Sequence, residues 1–159
     1  MDGMENTVHQ QFMREALTLA EQAALEGEVP VGALVVYRGL VIARGYNTRE
    51  RSQDPTGHAE LNAIRDAADL LGSWRLEECT VYVTLEPCAM CAGAMVNSRI
   101  MACVYGCTDP RGGFLGTLGD LGSDTRLNHR FDVVSGVLED DCRHVLQSFF
   151  RAIREKKRK

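Results

Sequence analysis

Apolar residues recur along this chain at two periods, and the two periods predict helices that alternate with strands. Repeats of three to four residues predict helices over 9–25, 58–71, 88–97 and 138 to the C terminus. Short β-rich runs predict strands over 31–37, 40–46, 80–85, 100–105 and 131–135. Arg38-Gly39 joins the first two strands as a hairpin, and Gly27 and Gly72 end the first two helices.

This order of elements predicts an α/β fold, a three-layer α/β/α sandwich whose mixed five-stranded sheet carries helices on both faces. We expect residues 1–159 to form one domain. The polar stretch 47–57 is expected to be a loop, and the glycine-rich stretch 106–128 a long loop with one helical turn. Ligands in such folds bind outside the carboxyl ends of strands, where helices begin.

Charge is unevenly distributed along the chain. The net charge is −4, yet residues 151–159 hold six basic groups against Glu155 alone. The remaining 150 residues hold 12 basic and 21 acidic groups. This basic tail is typical of contact with a polyanion. A solvated helix end, whose cations favour the C-terminal dipole, explains it equally well.

The chain shows no secretory or membrane signal, so we expect a cytoplasmic protein that does not enter a membrane. The polar residues 1–11 lack the apolar core of a signal peptide, and no run has the length of a membrane span. Six cysteines are therefore expected to be metal ligands and buried thiols instead of disulfides. Four of them stand scattered in apolar stretches: Cys79, Cys103, Cys107 and Cys142.

Two short motifs carry the candidate chemistry. The first is His58-Ala59-Glu60, and the second is Pro87-Cys88-Ala-Met-Cys91. Cys88 and Cys91 are three residues apart, so both thiols share one face of a helical first turn, where the dipole favours the thiolate. With His58 they supply three ligands for zinc and leave a fourth position open to water. Glu60 is left free to move protons.

Other interpretations of these motifs are weaker. A Cys-x-x-Cys pair also occurs in structural zinc knuckles and redox sites. A structural site requires a fourth protein ligand at short spacing, which the sequence does not offer, and a redox pair has no need of His58 and Glu60. The two motifs together are typical of zinc-dependent nucleobase deaminases.

Further motifs over nearly the whole chain resemble the bacterial tRNA-specific adenosine deaminases of the cytidine/deoxycytidylate deaminase superfamily. They are Glu28-Val-Pro-Val-Gly-Ala33, Gly45-Tyr-Asn47, Asp54-Pro-Thr-Gly-His-Ala-Glu60, Thr84-Leu-Glu-Pro-Cys-Ala-Met-Cys-Ala-Gly-Ala-Met95, Ser98-Arg-Ile100, Leu127-Asn-His-Arg130 and Phe149-Phe150. The resemblance implies a cytidine-deaminase-like fold and conversion of the wobble adenosine of a tRNA anticodon stem-loop to inosine. It also implies a cytoplasmic homodimer with one zinc ion per subunit.

The resemblance further implies a role for each matching residue. His58, Cys88 and Cys91 would bind zinc, and Glu60 would shuttle protons while activated water attacks C6 of the flipped adenine. The remaining roles concern the substrate, and they fall on Asn47, Ala59, Val29, Pro30, Asp109, Arg111 and Phe149. Asn47 would hydrogen-bond the nucleotide, Val29 and Pro30 would line its ring, and the Ala59 N–H would face the pocket. Asp109, Arg111 and Phe149 would contact the RNA.

Alternatives to this assignment remain open. A small-molecule guanine or cytosine deaminase would share every zinc-site residue, and the basic tail favours RNA over it. A non-enzymatic partner subunit would be expected to lack Glu60. Asn47 is also compatible with a strand-ending turn. Phe149 and Phe150 are compatible with a packed core, given their helical spacing.

Overall fold

A five-stranded mixed sheet forms the centre of the computed structural model, which describes residues 3–158. Its strands are β1 (Gly32–Tyr37), β2 (Leu40–Tyr46), β3 (Cys79–Leu85), β4 (Ala102–Cys107) and β5 (Asp132–Val134). Their spatial order is β2-β1-β3-β4-β5. β1 pairs antiparallel with both β2 and β3, whereas β3, β4 and β5 run parallel to one another. The mixed sheet predicted from the sequence is confirmed.

Helices cover both faces of the sheet. They are α1 (Gly3–Leu25), α2 (Arg49–Ser52), α3 (Ala59–Leu71), α4 (Ala89–Asn97) and α5 (Glu139–Lys157). Because side chains alternate along a strand, Val35 and Val83 pack with α3 and α4, whereas Leu34 and Tyr82 pack with α1 and α5. The three-layer arrangement follows from this alternation.

Two glycines allow helices to lie unusually close to the hairpin. A β-carbon on Gly45 would lie 2.4 Å from the carbonyl oxygen of Ala59, in the first turn of α3. A β-carbon on Gly32 would lie 2.1 Å from the carbonyl oxygen of Ala16 in α1. Only glycine fits such distances, so β2 and α3 meet backbone to backbone next to the His58 motif.

Several predicted boundaries differ from the structure. The first helix begins at Gly3, before the start predicted at residue 9. Its first turns are exposed, so the sequence there shows no apolar period. The stretch 47–57 contains the short helix α2, which is too brief to show a period. In the stretch 106–128, Gly106 and Cys107 belong to β4, and 108–128 forms turns and isolated bridges without the expected helical turn. The fourth strand begins at Ala102, after Arg99 adopts a left-handed conformation.

The turn between β1 and β2 is tight. The hairpin turn consists of Arg38 and Gly39, with φ of 51° and 80°, as two-residue hairpins require. Helix α5 carries exposed basic residues to its C-terminal end, and Lys159 of the basic tail lies outside the described residues. None of the helices within residues 3–158 is both long enough and apolar enough to cross a bilayer.

Candidate active site

The two motifs meet at the starts of two helices. His58 is the residue immediately before α3, and Cys88 is the residue immediately before α4. Both have extended backbone conformations, and neither side chain caps its own helix. Cys91 follows in the first turn of α4 and is fully buried. These helix starts therefore leave all three side chains free to turn toward one point.

The three side chains form a group that fits a zinc ion. His58 Nδ1 lies 3.6 Å from Cys88 Sγ and 3.5 Å from Cys91 Sγ. Tetrahedral zinc, with bonds of about 2.0–2.1 Å to nitrogen and about 2.3 Å to sulfur, requires a nitrogen–sulfur separation of about 3.5 Å. All three ligand atoms lie within 4.8 Å of one another. Two thiols, one imidazole and one open position form the donor set of a catalytic zinc site.

The protons in this group are shared in a way that favours metal binding. The pKa of the Cys88 thiol is lowered to about 4. The largest cause is a hydrogen bond with the Cys91 thiol, and a hydrogen bond with His58 lowers the pKa further. The pKa of Cys91 is raised correspondingly, and burial adds to the effect. Interaction with Cys88 raises the pKa of His58. A divalent cation would replace these shared protons.

Glu60 lies beside the cluster without belonging to it. It is 4% exposed, and burial raises the pKa of its carboxyl to about 7. The neighbouring Cys91 thiol lowers the pKa of this carboxyl and so offsets part of the rise. A carboxyl that titrates near neutral pH can both accept and return a proton, as a general acid–base catalyst must. Its place one residue into α3 brings it to the same helix end as His58.

A cavity of about 160 Å³ opens onto this cluster. The cavity lies at one end of the central strands. Antiparallel pairing places the start of β1 beside the end of β3, and parallel pairing adds the end of β4. The lining residues are Val29, Val31, Asn47, Arg49, His58, Ala59, Glu60, Leu85, Glu86, Cys88 and Asp109. The cavity therefore brings the cluster into contact with residues from several different connections of the fold.

Comparisons with known proteins agree with this geometry. Residues 6–107 match the cytidine and deoxycytidylate deaminase zinc-binding region. The tRNA-specific adenosine deaminase of Bacillus subtilis (strain 168) is 51% identical over 147 residues, which cover 92% of this chain and 91% of that protein. The chain belongs to the cytidine and deoxycytidylate deaminase family, among its tRNA-specific adenosine deaminases.

Solved structures of this deaminase family share the fold. One comes from work on A-to-I editing by tRNA:A34 deaminases at the wobble position of transfer RNA. It has a TM-score of 0.83 and 42% identity, and the match covers 86% of this chain and 99% of that chain. A guanine deaminase from Bacillus subtilis has a TM-score of 0.60 and 41% identity, with 63% and 64% of the two chains covered. The predicted cytidine-deaminase-like fold is confirmed.

The structure brings most predicted substrate residues of this deaminase to the cavity. Val29, Asn47, Ala59 and Asp109 line it. Asn47 is also part of a turn, since its amide donates to the Val29 carbonyl oxygen (3.2 Å) and accepts from the Arg49 N–H (3.0 Å). Both interpretations of Asn47 are therefore compatible with its position.

Three other predicted residues lie away from the cavity. Pro30 is buried and absent from the cavity lining. Arg111 lines a separate groove between residues 107–111 and α5. Phe149 is half-buried, and it is Phe150, 42% exposed, that lines this groove. The ring contact predicted for Pro30 and the RNA contacts predicted for Arg111 and Phe149 remain predictions.

Four cavity residues were not predicted from the sequence. Val31, Arg49, Leu85 and Glu86 all line the cavity. Leu85 and Glu86 stand at the carboxyl end of a predicted strand, a position that usually contributes to ligand sites, and that signal could have identified them. Arg49 belongs to the stretch interpreted as a polar loop, where the sequence offers no comparable signal.

The groove beside the cavity is large and basic. Its volume is about 910 Å³, and it shares Val29, Leu85 and Asp109 with the cavity lining. Four arginines line it: Arg111, Arg143, Arg151 and Arg154. Arg143 also pairs with Glu139 at 3.1 Å. The deaminase thus has a small cavity over the cluster and a basic groove directly beside that cavity.

Proposed function

We propose that this chain hydrolyses the wobble adenosine of a tRNA anticodon to inosine. The observation that carries the proposal is the basic groove that adjoins the cavity. A cavity of about 160 Å³ suits a single base, and the arginines of the adjoining groove suit the phosphates of neighbouring nucleotides. The similarity to tRNA-specific adenosine deaminases over 92% of the chain supports the same substrate.

In this proposal His58, Cys88 and Cys91 hold one zinc ion per subunit. Zinc there would lower the pKa of a bound water to roughly 7. Glu60 takes a proton from the attacking water and passes it to N1 of the adenine as C6 is attacked. Glu60 then takes the proton of the new C6 hydroxyl and transfers it to the departing amino group, so that the C6–N bond breaks and water and adenosine yield inosine and ammonia. Burial of Glu60 keeps bulk water away from these transfers.

The residues that line the cavity would hold the base for this chemistry. Asn47 and the Ala59 N–H would bind its polar edge, and Val29 would pack against the ring. Pro30 would act through Val29, because it is buried and follows it directly in the chain. Asp109 stands where cavity and groove meet, so it would contact the nucleotide next to the target.

We further propose that residues 1–159 act as a single catalytic domain in a cytoplasmic homodimer. A single sheet organises the described elements, which supports the one domain. Met90, in the first turn of α4, is 36% exposed beside the cluster, and a second subunit would cover it. Light scattering on the purified protein measures the subunit count, and elemental analysis measures zinc per subunit.

The test compares substrates at equal concentration with the zinc-loaded protein. An anticodon stem-loop with a wobble adenosine should yield inosine, whereas the same stem-loop with the adenosine moved by one position should not. Free guanine, cytosine and adenosine should react far more slowly. The similarity to a guanine deaminase makes guanine the principal alternative substrate. Faster turnover of guanine than of the stem-loop would contradict the proposal.

A further inference from the structure

Glu86 is a buried carboxylate between the end of β3 and the zinc-site cysteine Cys88. It is 2% exposed. Its two oxygens accept four hydrogen bonds from a single loop. The N–H groups of Asp109, Leu115 and Thr117 donate at 3.1 Å each, and the Thr117 hydroxyl donates as well. One side chain therefore holds both ends of the segment 109–117.

The backbone around Glu86 is attached to the same loop. The Glu86 N–H donates to the Cys107 carbonyl oxygen at 2.9 Å, and the Phe114 N–H donates to the Pro87 carbonyl oxygen at 2.9 Å. A β-carbon on Gly113 would lie 2.2 Å from the Glu86 carboxyl carbon, so the loop packs directly onto this side chain. Segment 86–88 and segment 107–117 therefore form one unit.

This unit determines where Asp109 stands. The Asp109 carboxylate accepts the N–H groups of Arg111 at 3.0 Å and Gly112 at 3.2 Å, so its side chain follows the backbone of its own turn. The backbone of that turn is held by Glu86 through the Asp109 N–H. Asp109 lines both the cavity and the groove, which makes its location important for substrate binding.

We propose that Glu86 is a positioning residue that sets the affinity for the RNA substrate by fixing Asp109 at the mouth of the cavity. The inference rests on the proposed function and deepens it. Glu86 acts through the loop and not on the reacting atoms, since its oxygens are engaged by Asp109, Leu115 and Thr117. Removal of these hydrogen bonds should therefore weaken substrate binding more than the chemical step.

A second buried carboxylate provides a matched control. Glu28 is 1% exposed and accepts the N–H groups of Glu50 at 3.0 Å and Arg51 at 2.7 Å. It holds the start of α2 in the same manner that Glu86 holds the loop. Glu28→Gln should loosen α2 and leave 109–117 unchanged, so it separates a local effect from general destabilisation.

The experiment uses Glu86→Gln in the zinc-loaded protein. If the glutamine oxygen keeps the N–H groups of Leu115 and Thr117, its amide NH₂ faces the Asp109 N–H. The Thr117 hydroxyl can turn to accept, so the single donor conflict falls at Asp109. KM for the stem-loop should rise roughly tenfold, the effect expected of one unsatisfied buried donor. The value of kcat should stay within about threefold, and bound zinc should be unchanged.

Hydrogen exchange gives a measurement that does not depend on activity. Amides of 109–117 should exchange faster in Glu86→Gln and at the wild-type rate in Glu28→Gln, whereas amides of 49–52 should show the reverse. Should Glu86→Gln fail to fold, Thr117→Val removes one of the four hydrogen bonds. That variant should raise KM about threefold with kcat unchanged.

The outcomes separate the two proposals. A wild-type protein that does not deaminate the stem-loop contradicts the proposed function. An active wild type with unchanged KM and unchanged loop exchange in Glu86→Gln, or unchanged KM in Thr117→Val, overturns the role of Glu86. Loss of zinc together with an equal fall in kcat and kcat/KM also overturns it, because Glu86 would then act on the metal site.

Discussion

Replacing Glu60 with glutamine should stabilise the zinc-free protein above neutral pH. The same replacement should lower the turnover of the zinc-loaded protein. The Glu60 carboxyl is buried, and its pKa is raised from 4.5 in an unfolded chain to about 7. The folded protein therefore binds more protons than the unfolded chain between these two values. Stability is lost as pH rises through this interval, since the change in the free energy of unfolding with pH follows the difference in bound protons.

The size of the effect follows from the same pKa difference. At about 1.4 kcal/mol per pH unit, a rise from 4.5 to about 7 corresponds to roughly 3 kcal/mol of lost stability. Glutamine keeps the shape of the side chain and does not titrate. The difference between Glu60→Gln and wild type therefore reports the Glu60 carboxyl together with its influence on the pKa values of His58 and Cys91.

Urea unfolding of both zinc-free proteins, from about pH 4 to about pH 8, measures the difference. The free energies of unfolding should differ little below about pH 4.5, and Glu60→Gln should become more stable by roughly 3 kcal/mol above about pH 7. A difference that does not change with pH, or a more stable wild type at about pH 8, would refute the reasoning. In the zinc-loaded proteins, Glu60→Gln should keep its metal and lose at least about 10²-fold in turnover.

Three further predictions test the metal, the basic tail and the close helix contact. Cys91→Ala should lose zinc and activity together, because three protein ligands leave no redundancy, and elemental analysis that still finds one zinc per subunit would contradict the assignment. Deletion of 156–159 should weaken tRNA binding. The slope of log affinity against log salt should become flatter by roughly 0.7 for each phosphate that is no longer neutralised. The value of kcat on saturating stem-loop should stay unchanged. An unchanged slope would identify the tail as a solvated helix end. Gly45→Ala should destabilise the fold by about 1–3 kcal/mol or more in urea unfolding, because its β-carbon would meet the Ala59 carbonyl oxygen at 2.4 Å, and wild-type stability would argue against that close approach.

Much of the zinc site could be predicted from the sequence, because its geometry is local. Cys88 and Cys91 are separated by less than one helical turn, and Pro87 is typical of a helix start. His58 stands just before a strongly periodic helix. Each motif therefore fixes its own side chains, and only the meeting of the two helix starts depends on the tertiary fold.

The walls of the cavity could not be predicted in the same way. Val31 reaches the site because β1 runs antiparallel to β3, and hydrophobic periodicity does not specify which strands pair. Glu86 and the loop 109–117 meet through hydrogen bonds that join a strand end to a glycine-rich segment, with no repeating pattern to reveal them. Helix α2 was missed because Glu28, distant in the sequence, stabilises its start.

The hairpin turn at Arg38-Gly39 is a suitable position for a label, because it lies at the opposite end of β1 from the cavity. The cavity lies at the end of the sheet where β1 begins, whereas this turn lies where β1 ends, roughly 17 Å away at about 3.3 Å per residue. Its neighbour Leu40 is 70% exposed. A fluorophore, an affinity tag or a fused domain inserted between Arg38 and Gly39 would extend away from the cavity and the groove. Labelled protein for binding studies should therefore be obtainable at this turn without changing the site under study.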